Sequence, residues 1–124
     1  MQGDPKPHFA IRYILHGEGA LIAIVGIVLY AQHGFSWLLF AVLILAPDLA
    51  MIGYMRGPRV GAFWYNLAHC YVAPLILMAV GQWAASETAT AIGLIWGIHI
   101  GADRALGYGL KYPDAFKSTH LGRI

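Results

Sequence analysis

Charge is what this sequence has least of. Only 11% of its 124 residues are Asp, Glu, Lys or Arg, against 59% that are hydrophobic. So few charges exclude a solvated, disordered chain. The formal net charge of +2 is too small for the basic footprint of a nucleic-acid binder. Cysteine is nearly missing as well. A single Cys70 rules out an intrachain disulfide and a thiolate metal cage, and reads as a small packing residue. What fills the chain instead is apolar sequence in runs longer than a soluble core of this size could cover.

Those runs fall at about 11–30, 37–55, 60–80 and 89–110, each near the roughly 20 residues that a membrane-spanning helix needs. Their short connections leave no room for a separate soluble domain. The expected architecture is all-α: one domain over 1–124, a four-helix transmembrane bundle of up-down topology, with a tail at 111–124.

Basic residues are absent from two of the three connections. The stretches 31–36 and 81–87 contain no Lys or Arg, whereas Arg56 and Arg59 flank Gly57 and Pro58. The other basic residues are Lys6, Arg12, Arg104, Lys111, Lys117 and Arg123. All eight lie on one side, so the positive-inside rule makes both termini and the Arg56 turn cytoplasmic. A bacterial inner membrane is the expected location. A cleaved signal peptide is the other reading of the first run, but that run carries His16 and Glu18 and lacks a convincing small-residue cleavage site.

Six polar side chains interrupt the apolar runs: Glu18, Asp48, Asn66, His69, His99 and Asp103. At about 1.5 Å per residue, Glu18 and Asp48 each lie about two turns from the cytoplasmic end of their helices. Asn66 with His69, and His99 with Asp103, lie about two to three turns in. One shared layer results. Intramembrane ionisable groups are costly and usually face one another or a cavity. Asn66 and His69 are i,i+3 and His99 and Asp103 are i,i+4, so each pair projects from one helix face. Each residue also has a plainer reading. Asp48 follows Pro47, whose ring leaves a carbonyl of the preceding turn without a donor, so the pair could be only a kink. Asn66 could bond across helices, and either histidine could be a satisfied core residue.

Gly93, Gly97, Gly101, Ala105 and Gly109 form a stripe at a spacing of four. Centred opposite His99 and Asp103, it suggests a homodimer contact, with close packing inside the monomer as the alternative. The tail is too polar to span, and could fold over the cytoplasmic mouth and bring His120 to the site.

The strings Ala46-Pro47-Asp48, Tyr65-Asn66-Leu67-Ala68-His69, His99-Ile100-Gly101-Ala102-Asp103-Arg104 and Thr119-His120-Leu121-Gly122 resemble those of a family of small bacterial integral membrane proteins known as a domain of unknown function. Gly57-Pro58-Arg59-Val60-Gly61 and Gly107-Tyr108-Gly109-Leu110-Lys111-Tyr112 belong to the same resemblance, which runs from about Leu15 onward. It implies a multi-helix inner-membrane protein and carries over no activity, cofactor or catalytic residue.

From the residues themselves, the expected function is a metal-dependent hydrolase working on a lipid-phase substrate at the cytoplasmic leaflet. His69, His99 and Asp103 would hold zinc or iron, with Asp48 as a further ligand or, like Glu18, the general base. Asn66, Arg104, Arg59 and His120 would bind substrate, with Arg56 also available to an anionic headgroup. The same residues suit a non-haem iron oxidoreductase, a haem held by the two histidines, or a proton or metal-ion transporter. Membrane lipid is the expected partner.

Overall fold

The computed structural model describes residues 6–110, with side chains from residue 10 onward. Among these residues every regular element is helical. α1 spans Lys6–Gln32, α2 Trp37–Leu43, a 3-10 helix Ala46–Arg56, α3 Pro58–Ala68, α4 Val72–Trp83 and α5 Glu87–Leu106. The four apolar runs are thus four helical stretches, two of them broken. Three, Ala10–Gln32, Trp37–Arg56 and Pro58–Trp83, are long and apolar enough to cross a membrane. His120 and the rest of the tail lie outside the described residues.

Local chemistry sets the element ends. Ser36 and Ser86 cap α2 and α5, their hydroxyls accepting from Leu39 N (3.1 Å) and Ala89 N (3.2 Å), as N-cap serines do. Gly107, at φ +96°, ends α5 in the left-handed region, and the next amide, of Tyr108, returns to Asp103 O at 2.7 Å. The fourth run therefore stops at Leu106, short of the expected residue 110.

α5 is the axis of the molecule. It packs on α1 and α4 and touches α2 and the 3-10 helix, which pairs mainly with α3. Tyr30, Ala91, Leu94, Ile95 and Ile98 form the buried core, with Phe40, Leu43 and Met78 against it. The Tyr30 hydroxyl donates to Ser36 O and ties the end of α1 to the start of α2. Outside this core the surface is apolar: Leu21, Ile24, Leu38, Leu49 and Leu75 are all exposed, and neither α2 nor the 3-10 helix has a buried residue. In water so large an apolar surface would drive aggregation, whereas hydrocarbon accommodates it.

The continuous helices expected at 37–55 and 60–80 are both interrupted, each beside a proline. Pro47 has no N–H, and Asp48 N turns back to Leu45 O (3.0 Å) in 3-10 fashion. The carbonyl of Ile44 therefore has neither its i+3 nor its i+4 amide. Pro74 likewise removes the amide that would reach Cys70 O, and the chain breaks at 69–71 before α4 begins. His69 N bonds Asn66 O (3.2 Å), which leaves Tyr65 O without its i+4 donor.

Two glycines of the α5 stripe are used inside the chain. A Cβ on Gly101 would lie 2.7 Å from Gly19 O and 2.9 Å from Ala23 N of α1, and one on Gly93 would lie 2.4 Å from Met78 Cγ of α4. The stripe thus lets α5 approach its own neighbours, the close packing that small residues permit in lipid. Gly97 differs, with nothing within 4 Å of its added Cβ. Gly97→Ala should therefore leave thermal unfolding in detergent unchanged; a drop as large as that expected for Gly101→Ala would contradict this packing.

Candidate metal centre

Both chain breaks point at one place. Asp48 enters from the first turn of the 3-10 helix, His69 from the end of α3, and His99 and Asp103 from one face of α5. Each offers one donor atom, and these atoms all lie within 4.8 Å of one another. His69 and His99 are buried, while Asp48 and Asp103 keep 35% and 21% of their side-chain surfaces exposed.

The backbone fixes which ring nitrogens face inward. His69 Nδ1 lies 2.8 Å from Tyr65 O, and His99 Nδ1 lies 2.6 Å from Ile44 O. A carbonyl can only accept, so both Nδ1 atoms carry hydrogen, and in a neutral ring Nε2 is then a bare lone pair. These are the two carbonyls that the breaks at Pro47 and before Pro74 leave without helical donors. The helix interruptions therefore orient the histidines, in the way that backbone carbonyls orient ligands around a metal. Tyr65 supports His69 further by stacking on its ring, centroids 3.8 Å apart and planes 6° from parallel.

The two Nε2 atoms stand 3.2 Å apart. Asp48 Oδ1 is 3.1 Å from both, and Asp103 Oδ2 is 3.1 Å from that of His99 and 3.5 Å from that of His69. Electron-rich atoms this close repel unless a proton or a metal cation lies among them. Their spacing also suits a metal. Tetrahedral ligands at about 2.0–2.1 Å from zinc are about 3.3–3.4 Å from each other. The group could hold a metal ion.

α5 also holds the broken end of α3. Trp96 Nε1 donates to Ala68 O (2.6 Å) and Arg104 Nη2 to His69 O (3.0 Å), the carbonyls that a continuous helix would give to residues 72 and 73. In hydrocarbon an unpaired carbonyl is costly, so these side chains stabilise the break and the placement of His69. Arg104, read from the sequence as a substrate residue, is thus engaged with His69, and its guanidinium lies 5.2 Å from the centre of the Tyr71 ring. Trp96→Phe removes the donor to Ala68 and keeps most of the volume. We expect it to cost about 0.6–2 kcal/mol of stability and to weaken metal binding about 10- to 100-fold. Metal titration of the purified variant checks this, and unchanged affinity would contradict it.

The other sequence candidates stand apart. Glu18 is exposed on α1 and does not belong to the converging group. Asn66, half-buried in α3, is outside it too, though its carbonyl receives the His69 amide. Arg59 is exposed in the first turn of α3. Sequence reasoning passed over Tyr65 and Trp96, and read the carbonyl freed by Pro47 only as a kink; Pro74, which frees Cys70 O in the turn after His69, was the further signal available.

Fold and site together define an all-helical protein with three candidate membrane spans and a buried Asp/His/His/Asp group able to hold a metal ion. The model of a family described as Domain of unknown function (DUF4260) matches residues 12–124, and the chain belongs to that family. No curated protein and no solved structure matches it.

Proposed function

We propose that this chain is a multi-pass inner-membrane metallohydrolase acting on a lipid-phase substrate. One observation carries the reading: two histidine Nε2 atoms, each bared by a backbone carbonyl on Nδ1, meet at 3.2 Å between two carboxylates. His69, His99 and Asp103 are the ligands, and their donor atoms, 3.1–3.5 Å apart, are spaced as zinc ligands are. When bound, such a metal brings the pKa of its water toward about 7.

Asp48 is the more exposed of the two carboxylates, which suits it as the general base. It takes one proton from the attacking water as the water oxygen bonds to the acyl carbon or phosphorus. It then returns that proton to the leaving oxygen as the old ester bond breaks. Glu18, exposed and apart from the group, has no part in these steps. A haem is disfavoured because its two axial nitrogens stand about 4 Å apart, twice a metal–nitrogen bond of about 2 Å, with a porphyrin between them.

The test is hydrolysis of a panel of phospholipids by the metal-loaded protein in nanodiscs. Asp48→Asn should keep the metal and lower turnover at least about 100-fold, the low end of a general base's contribution. A metal-loaded wild-type protein that releases no product from the panel contradicts the hydrolase reading.

The one-sided distribution of the basic residues supports cytoplasmic termini and a cytoplasmic Arg56 turn in this reading. In a Cys70→Ser background, Gln32→Cys and Ala84→Cys should react with an impermeant maleimide from outside. Reaction only from the cytoplasmic side would invert this topology.

A further inference from the structure

An apolar cleft of about 330 Å³ opens between the 3-10 helix and α5. Its lining is tied to the metal centre through the chain. Pro47 precedes Asp48, Ala68 precedes His69, and Ile95 lies one turn before His99. No charged side chain lines it, and the indole N–H of Trp96, its one side-chain donor, is already given to Ala68 O. Such a cleft offers a ligand apolar contact alone, and its volume falls at the lower end of the about 300–1,000 Å³ usual for ligand pockets.

From the level of the centre, where Ala50 and Ala68 line it, the cleft extends to one side. It reaches Leu43, five residues before Asp48, and Ile92, seven residues before His99, or about 7 to 10 Å along the helices. That direction leads away from the chain's basic end. Arg104, though next to Asp103, is held at the centre by His69 O, whereas Arg56 and Arg59 lie beyond it at the turn joining the 3-10 helix to α3. Along the bundle axis the order is therefore cations, His/Asp centre, then apolar cleft. A phospholipid with an anionic headgroup has the same order of polarity along its length.

We infer that the cleft seats one acyl chain of an anionic glycerophospholipid, whose headgroup lies on the arginine side of the centre. The inference rests on the hydrolase reading for its consequence, since it makes this lipid class the substrate, but the seat itself can be tested without turnover. The cleft lies within the spanning segments, so its occupant comes laterally from the bilayer. Lining residues Ala46 and Ala50 are alanines, where a larger side chain would fill the space the chain needs.

The experiment reconstitutes the full chain in vesicles of phosphatidylcholine and phosphatidylglycerol, doped with phosphatidylglycerol carrying a diazirine near the end of one acyl chain. After photolysis the labelled peptides are mapped, and metal content is measured on the same samples. Labelling within 43–50 and 92–96 should saturate, and added phosphatidylglycerol should displace it at least tenfold better than phosphatidylcholine does. Labelling of the exposed face of α1, at Ile24 and Val28, should not saturate. Ala46→Phe and Ile92→Trp should each lower the cleft labelling at least tenfold and leave that of α1 unchanged. Two variants on opposite walls guard against one that fails to fold. Non-saturable labelling of the cleft in metal-loaded protein overturns the seat while leaving the metal centre standing. Equal displacement by phosphatidylcholine overturns the anionic preference. Saturable, selective labelling in protein that holds no metal supports the seat and removes the hydrolase reading.

Discussion

His99→Ala is expected to weaken zinc binding by well over about 100-fold, beyond the range for residues that merely support a ligand. The expectation follows from position. His99 Nε2 touches Asp48, His69 and Asp103 alike, so its loss removes one ligand and opens a gap beside the other three. The imidazole is buried in α5, and its Nδ1–H also satisfies Ile44 O. Alanine therefore leaves that carbonyl without its side-chain donor as well, and the 3-10 helix should loosen. Helix content by circular dichroism should be preserved while metal titration shows the loss. Asp48→Asn is the informative contrast, because it leaves both histidine tautomers as they are. Retention of wild-type zinc affinity by His99→Ala would remove the centre as drawn.

Gly101→Ala is expected to be far more damaging than Gly97→Ala, whose added methyl meets nothing within 4 Å. The new methyl carbon would lie 2.7 Å and 2.9 Å from the backbone of Gly19 and Ala23, and backbone cannot turn aside as a flexible side chain does. α1 and α5 would have to separate, at about 1–3 kcal/mol for overpacking of this kind. Because Gly101 lies between His99 and Asp103 in the sequence, the displacement should also reduce metal affinity. Thermal unfolding and metal titration, run beside Gly97→Ala, separate this from a general intolerance of side chains in the stripe. Equal stability of the two variants would contradict the close crossing of α1 and α5.

Much of this molecule is legible in its residues. Apolar runs show four helical stretches, and counting turns from their ends sets Asp48, His69, His99 and Asp103 at one depth. Depth is an axial coordinate, however, and says nothing about direction around a helix. Glu18 shares the layer and still falls on an exposed face of α1. The stripe of Gly93 and Gly101 is legible as a close-packing surface, but only the tertiary arrangement shows that α1 and α4 of the same chain occupy it. Pro47 signals a freed carbonyl; that His99, 55 residues beyond Ile44, donates to Ile44 O cannot be read locally. The same holds for Pro74, whose break is held by Trp96 and Arg104 from another helix.

Zinc-edge X-ray absorption on the protein purified without chelators bears most directly on the Asp48–His69–His99–Asp103 centre. Alongside it, elemental analysis should give one zinc per chain. The absorption fine structure should show two imidazole nitrogens and one or two oxygens at about 2.0–2.1 Å, with no sulfur shell at about 2.3 Å. Protein that holds no metal after equilibration with zinc, or a zinc shell unchanged when His69 and His99 are both replaced by alanine, would contradict it.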